Sequence, residues 1–269
     1  MGQFNGDLKA KVLQKVHDGP LRGYSGYLKT FHKLKKDFYW SSMSKDLKQY
    51  IKECDVCQKL KNETCCPARL LQPLSIPKRP WTDVSVDFVE GLPMSQMKTV
   101  VFVVVDRLTK YAHFIPLSHP YTTAKVANLY MHYVFKLHGM PSSIVSDRDP
   151  VFTSKFWSEL LRLQGVTLAM SSAYHPQFDG QTEVVNKSLE HYLRAFAADK
   201  PQSWVEWLPL VEFWFNTNFH TSIKLTPFEA LYGYPSPKVL DYVPGTTQVR
   251  AVDLLLKDRQ QLLSCSNTT

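Results

Sequence analysis

The stretch "TVVFVVVDRLTKYAHFIPL", residues 99–117, contains the longest unbroken apolar run of the chain, "VVFVVV" from Val100 to Val105. Such a short run is far from the roughly 20 residues a membrane span needs, and its β-branched residues favour a strand. A second β-rich segment follows it, so the spacing predicts a hairpin joined near Asp106–Lys110. Upstream, "WTDVSVDFVEGLP" alternates Val84, Val86 and Phe88 against Ser85, Asp87 and Val89, the pattern of a half-buried strand. Downstream, the pattern predicts a helix over Thr123–Leu137, the short strand "SSIVS", an acidic turn "DRDP", a helix over Ser154–Leu163 and the strand "VTLAMSS". Two helices, Glu183–Ala198 and the aromatic-rich Trp204–Asn216, close the series. Strands first, then strands alternating with helices, predict an α/β domain with a mixed sheet.

The N-terminal quarter reads differently. "GDLKAKVLQKVHD", "YLKTFHKLKKDFYW" and "MSKDLKQYIKECDVCQKLK" place apolar residues three and four apart, as helices do. Residues 65–80, "CCPARLLQPLSIPKRP", contain four prolines and read as a linker. The predicted division is a helical module at 1–64, the linker at 65–80, an α/β core at 81–240 and a C-terminal linker segment at 241–269.

Charge follows the same division. Residues 1–80 hold 16 Lys+Arg against 7 Asp+Glu, whereas residues 81–269 hold 16 against 17. A basic module beside a near-neutral core suggests a polyanion-facing arm; a solvated face that aids solubility is the plainer reading. The composition, 44% hydrophobic and 21% charged, is that of a globular protein, and "MGQFNGDLKAKVLQ" lacks the apolar core of a signal peptide. The default expectation is a soluble, intracellular protein. Four of five cysteines lie between residues 54 and 66, and the "CDVC" pair Cys54 and Cys57 reads as a metal half-site or a redox pair.

Three carboxylates stand out by position. Asp87 interrupts an apolar strand, Asp147 ends another, and Glu183 opens a helix after the polar loop "SSAYHPQFDGQTEVVN". In an α/β fold, strand carboxyl ends and neighbouring helix starts converge on one crevice. Three carboxylates there would call for oxygen-ligated cations such as Mg²⁺ or Mn²⁺, and two ions would suit an in-line phosphoryl displacement. The residues also admit separate readings: a strand-edge charge, an Asx-turn former, and a helix-dipole partner.

Thirty-five residues separate Asp147 from Glu183. With Asp87 upstream, the series resembles the D, D, E signature of retroviral-type integrases, and of gypsy-type LTR retrotransposons in particular. The surrounding words resemble the family too: "VDFVEGLP", "IVSDRDPVFTSKFW", "SSAYHPQFDGQTEVVN" and "FNTNFHTSIKLTPFEALYG". The resemblance implies a ribonuclease-H-like core with a mixed five-stranded sheet, in which Asp87, Asp147 and Glu183 hold two Mg²⁺ or Mn²⁺ ions. It implies DNA integration, with the 3′ ends of a retrotransposon cDNA joined to target DNA by polynucleotidyl transfer. DNA and further copies of the chain are the implied partners, and the nucleus, reached from a cytoplasmic particle, the implied place of action. Asp149 is the rival for Asp147, better read as a turn former. Asp179 reads as a helix N-cap, and Asp83 and Asp106 as structural.

The N-terminal words resemble the His-His-Cys-Cys zinc module of the same family. His17, Cys54 and Cys57 fall on its ligand positions, but Tyr24 stands where the second His belongs, and a phenol is a poor zinc ligand at neutral pH. His32, Cys65 and Cys66 are the substitutes within reach of the sequence. Asn186 and Lys187, beside Glu183, and His175 and Gln177, in the loop, are candidate DNA contacts; an exposed polar helix face is the rival reading of the first two. The cluster Trp204, Trp207, Phe213, Trp214 and Phe215 reads as core or interface. The chain stops at "DRQQLLSCSNTT", where related integrases continue into a small β-barrel, so a polyprotein piece or truncated copy is expected. The alternative to an enzyme is a catalytically incompetent copy that only binds nucleic acid.

Overall fold

The run Val100–Val105 is apolar at every position because both faces of its strand are covered. This is seen in a computed structural model, which describes residues 6–60, 76–170, 180–197, 200–237 and 242–264. The strand, β2 (Val100–Asp106), lies in a five-stranded sheet with β1 (Asp83–Val89), β3 (Ala112–Leu117), β4 (Ser143–Ser146) and β5 (Thr167–Met170), in the order β3-β2-β1-β4-β5. The pairs β1–β2 and β2–β3 are antiparallel, and β1–β4 and β4–β5 are parallel. This is the predicted mixed sheet, and the predicted hairpin joins β2 to β3.

Alternation along β2 divides its side chains between two cores. Val100, Phe102 and Val104 pack with Ile115, Val126, Val134, Phe152 and Trp157, on the side of α5 (Thr123–Tyr130) and α7 (Lys155–Leu163). Val101, Val103 and Val105 pack with Val185, Leu189, Val211 and Phe215, from α8 (Gly180–Phe196) and α9 (Trp204–Thr217). Burial of these six side chains contributes on the order of 10 kcal/mol of transfer free energy. The same double cover corrects the half-buried reading of β1, where Val84, Ser85, Val86 and Val89 are buried and Asp83, Asp87 and Phe88 are partly exposed.

The outer edge of the sheet is closed by side chains from α9. Asn216 accepts from Ala112 N at 2.9 Å and donates to Ala112 O at 2.8 Å, and Glu212 accepts from Phe114 N at 2.9 Å. Pro116, the next residue of the same parity, has no N–H to satisfy, which is why a proline is tolerated there. The helix predicted over Thr123–Leu137 runs as α5, a π-helical turn (Met131–Phe135) and the short α6 (Lys136–His138), with Gly139 at φ 78° after it. Beyond the two closing helices stand α10 (Pro227–Tyr232) and α11 (Arg250–Ser264). Thr226 and Glu229 form a reciprocal capping box at the start of α10.

The N-terminal module comprises α1 (Gly6–His17), α2 (Tyr27–Asp37), α3 (Met43–Glu53) and α4 (Asp55–Lys59) around Val12, Leu13, Val16, Leu34, Trp40, Met43 and Leu47. Its loop after α1 docks on the core. Trp214 Nε1 donates to Arg22 O at 2.7 Å, and Tyr192 Oη donates to Pro20 O at 2.9 Å. Gly23, at φ 65°, lies so close to Trp214 that a Cβ there would stand 2.2 Å from Nε1. Most of the predicted linker, and the loop 171–179, lie outside the described residues.

Candidate active site and metal-binding cluster

Register brings the first two acids together. β1 and β4 run parallel with Val86 opposite Ser146, so Asp87 and Asp147 follow at neighbouring positions where both strands emerge. Asp87 shares strand parity with Ser85 and Val89, and Val89 belongs to the α8–α9 core, so its carboxylate is on that side. Burial, followed by the charges of Asp147 and Asp149, pushes its carboxyl up to about 6 despite a backbone hydrogen bond from Phe88. Asp149 accepts from Val151 N at 2.8 Å, the turn role expected of it, yet burial, Asp147 and Glu90 also raise its pKa. Tyr121 Oη donates to Glu90 Oε1 at 2.7 Å and lies within the field of Asp147 and Asp149. The acidic patch is therefore wider than the three residues singled out by sequence.

The third acid approaches on α8. Asn186 Nδ2 donates to Asp87 Oδ2 at 2.8 Å, fixing this helix against β1. Glu183 lies one turn earlier, but its side chain is 65% exposed and pairs with Lys187 Nζ at 2.7 Å. Among the described residues, the only His, Cys, Asp and Glu group with ligand atoms all within 4.8 Å is in the N-terminal module, so the three acids do not close to that distance. Their mutual repulsion and the Glu183–Lys187 pair both favour the open arrangement. An exposed pair of this kind is worth only about 0.3–0.5 kcal/mol, so little holds Glu183 outward.

The tight group comprises His17, Cys54 and Cys57. His17 is fully buried at the end of α1, and its Nε2 lies 3.2 Å from Cys57 Sγ. Hydrogen bonds from Cys57 and then His17 draw the Cys54 thiol down to about 4, while Cys57 is raised because it keeps the shared proton. A nitrogen and two sulfurs, one already favouring the thiolate, are a soft donor set suited to zinc. Tyr24 does not complete it. Its ring meets His17 edge-on at 5.7 Å and lies 5.3 Å from Phe196, while burial pushes its phenol up to about 12. Its backbone also reaches the group, with Tyr24 O 3.8 Å from Cys57 Sγ. His32 stacks on Phe219 at 4.1 Å and is no member of the group, and Cys65 and Cys66 lie outside the described residues.

Comparison with known proteins finds a family match for each part of the chain. Residues 5–63 match the family described as "Integrase zinc binding domain", and residues 77–176 the family described as "Integrase core domain". The Tf2-3 and Tf2-4 transposon polyproteins of Schizosaccharomyces pombe are each 31% identical over 227 residues, which is 84% of this chain. The chain belongs to the LTR-retrotransposon integrase family. It spans 17% of the length of these polyproteins. The simian T-cell lymphotropic virus intasome, solved with the PP2A regulatory subunit B56 gamma, has a similar fold. Its TM-score is 0.53 at 16% identity, covering 86% of this chain and 80% of that one.

In this integrase-family chain, the remaining expectations divide clearly. Asp106 is structural: fully buried, it accepts from Trp81 N at 2.9 Å and Thr109 N at 3.0 Å. Asp83 accepts from Ser143 Oγ and lies 3.9 Å from Arg107. Trp204, Trp207, Trp214 and Phe215 are buried core. Asn186 and Lys187 lie beside the acids, engaged with Asp87 and Glu183 respectively. His175, Gln177 and Asp179 lie outside the described residues. The contact between Asn186 and Asp87 was hidden from the sequence reading, although the three-residue step from Glu183 to Asn186 on one helix face was its trace.

Proposed function

We propose that this chain performs metal-dependent polynucleotidyl transfer, joining the 3′ ends of a retrotransposon cDNA to target DNA. The observation that supports this most is the pairing of Asp87 with Asp147 at adjacent strand ends, with α8 clamped to Asp87 so that Glu183 is one turn away. The donor set fits hard divalent cations, Mg²⁺ or Mn²⁺: it is all carboxylate, and Asp87 is destabilised as an anion by burial and then by its acidic neighbours. Two such ions, when bound, would stabilise the attacking and leaving oxygens of the displacement. Asp87 and Asp147 form the fixed part of the cradle, Asn186 orients Asp87, and Glu183 swings from Lys187 to complete it. Lys187, beside Glu183, would then meet a DNA phosphate next to the acids. Within the module, His17, Cys54 and Cys57 would hold zinc, tying α1 to the α3–α4 turn. Action on chromosomal DNA places the working protein in the nucleus, as a homo-oligomer holding two cDNA ends.

A second reading, a nucleic-acid-binding protein without catalysis, is favoured by one feature: Tyr24 at the position of a zinc ligand. Strand transfer of labelled DNA ends with Mn²⁺, comparing the chain with Glu183→Gln, separates the two. Product from the wild type alone supports the enzyme; none from either supports the second reading, and equal product from both overturns the role given to Glu183.

A further inference from the structure

Asp18 directly follows His17 and still closes the last turn of α1, its N–H donating to Gln14 O at 2.9 Å. Its two carboxylate oxygens differ in their surroundings. Oδ2 accepts from Tyr50 Oη of α3 at 2.7 Å, whereas Oδ1 is buried and has no hydrogen-bond partner among the described residues. His17 Nδ1 is buried and unpartnered among them in the same way. A carboxylate at the carboxyl end of a helix also meets the negative end of the dipole. Two orphaned polar atoms and one disfavoured charge therefore lie on adjacent residues at the edge of the His17, Cys54 and Cys57 group.

The surroundings tie Asp18 to that group. Its charge acts on Cys57 and on Tyr24, and those of His17 and Cys54 act on it in turn. Tyr50, which holds Oδ2, meets the His17 ring edge-on at 5.7 Å. A carboxylate tethered to a tyrosine to pin α1 on α3 is the plain alternative; it accounts for Oδ2 and leaves Oδ1 unexplained. A buried acceptor without a donor costs stability, and a cation would satisfy it. His17, Cys54 and Cys57 supply three donors, whereas a closed zinc site takes four, and a carboxylate oxygen is among the types zinc accepts. Ligating carboxylates are themselves held by hydrogen bonds, the position Tyr50 occupies here.

We propose that Asp18 Oδ1 is the fourth zinc ligand of the helical module, in place of the histidine whose position Tyr24 occupies. This rests on the zinc reading of the module given above and completes its donor set. Asp18 stands outside the 4.8 Å group formed by the other three, so its carboxylate closes on the ion by rotation about its side-chain bonds. His17 and Asp18 then hold the ion from the end of α1, and Cys54 and Cys57 hold it from the α3–α4 turn. The loss of one histidine is thus made good by a residue already beside the site.

The test uses the full chain loaded with Co²⁺, whose visible spectrum reports coordination, and azide as the probe of an open position. In the wild type the site is closed, so azide leaves the spectrum unchanged. In Asp18→Asn azide should change it. Zinc, measured by competition with a chromophoric chelator, should bind this variant more weakly by more than the roughly 10–100-fold that loss of a partner behind a ligand costs. In Asp18→Asn/Tyr24→His the introduced imidazole should restore tight zinc binding and an azide-insensitive spectrum; this holds the test open should the single variant fail to fold. A wild-type spectrum that responds to azide, or a single variant whose spectrum ignores it, overturns Asp18 as the ligand while leaving zinc binding intact. A double variant that binds no metal also overturns it, because Asp18 then serves the fold alone. A wild type that binds neither metal overturns both this assignment and the zinc reading on which it rests.

Discussion

Replacing Asp87 by asparagine should stabilise the protein when no divalent cation occupies the core. Burial, with Asp147 and Asp149 behind it, lifts this carboxyl from 3.8 to about 6. One pKa unit corresponds to about 1.4 kcal/mol, so ionised Asp87 costs the folded state on the order of 3 kcal/mol. The direction follows from proton linkage. Between about pH 4 and pH 6 the folded protein retains a proton that the unfolded chain has lost, so this residue lowers stability as pH rises through that window. Asparagine does not ionise, so its advantage should be near zero at about pH 4 and reach on the order of 3 kcal/mol near pH 7. The geometry admits the change. The introduced amide oxygen can still accept from Phe88 N, which lies 2.8 Å from Asp87 Oδ1 in the wild type. The buried Asn186 Oδ1, which has no partner among the described residues, can turn to accept from the introduced NH₂ group. Urea unfolding of both proteins across this pH range, with zinc retained, measures the difference. Adding Mn²⁺ should stabilise the wild type and not the variant. A pH-independent difference, or a variant less stable near pH 7, would refute the reasoning.

Two further outcomes follow from the module. Tyr24→Phe should leave zinc content unchanged, because the phenol is no ligand, whereas His17→Ala should abolish zinc binding and unfold the module, as metal analysis and circular dichroism would show. Gly23→Ala should cost about 2–4 kcal/mol in thermal or urea unfolding, because a Cβ in left-handed backbone would drive into Trp214 and break its bond to Arg22 O.

Much of the core was legible because its cover is written residue by residue. "VVFVVV" could be apolar throughout only as a strand buried on both faces, and Val185, Leu189 and Leu193 form the stripe that α8 indeed buries. Less legible were contacts that depend on distant pairings. Asn216 and Glu212 close the sheet edge across 104 and 98 residues of sequence, and Asn186 reaches Asp87 across 99. Nothing in a local pattern distinguishes such side chains from an ordinary polar helix face. Tyr24 was visible as a departure from the zinc pattern, but its use was not. It fills the space between His17 and Phe196, so the lost ligand has become part of the joint with the core. The three acids were found by spacing, whereas Asp149 and Glu90 join their patch only through the sheet register and the turn after β4.

The account rests most heavily on Asp87, Asp147 and Glu183 acting as one centre. The direct measurement is Mn²⁺-dependent strand transfer by the wild type, Asp87→Asn, Asp147→Asn, Glu183→Gln and Asp149→Asn, each first shown to be folded. The account predicts that each of the first three substitutions lowers the rate by on the order of 10²–10³-fold, while Asp149→Asn, a change in the turn, costs far less. Activity in any of those three comparable to the wild type would contradict it.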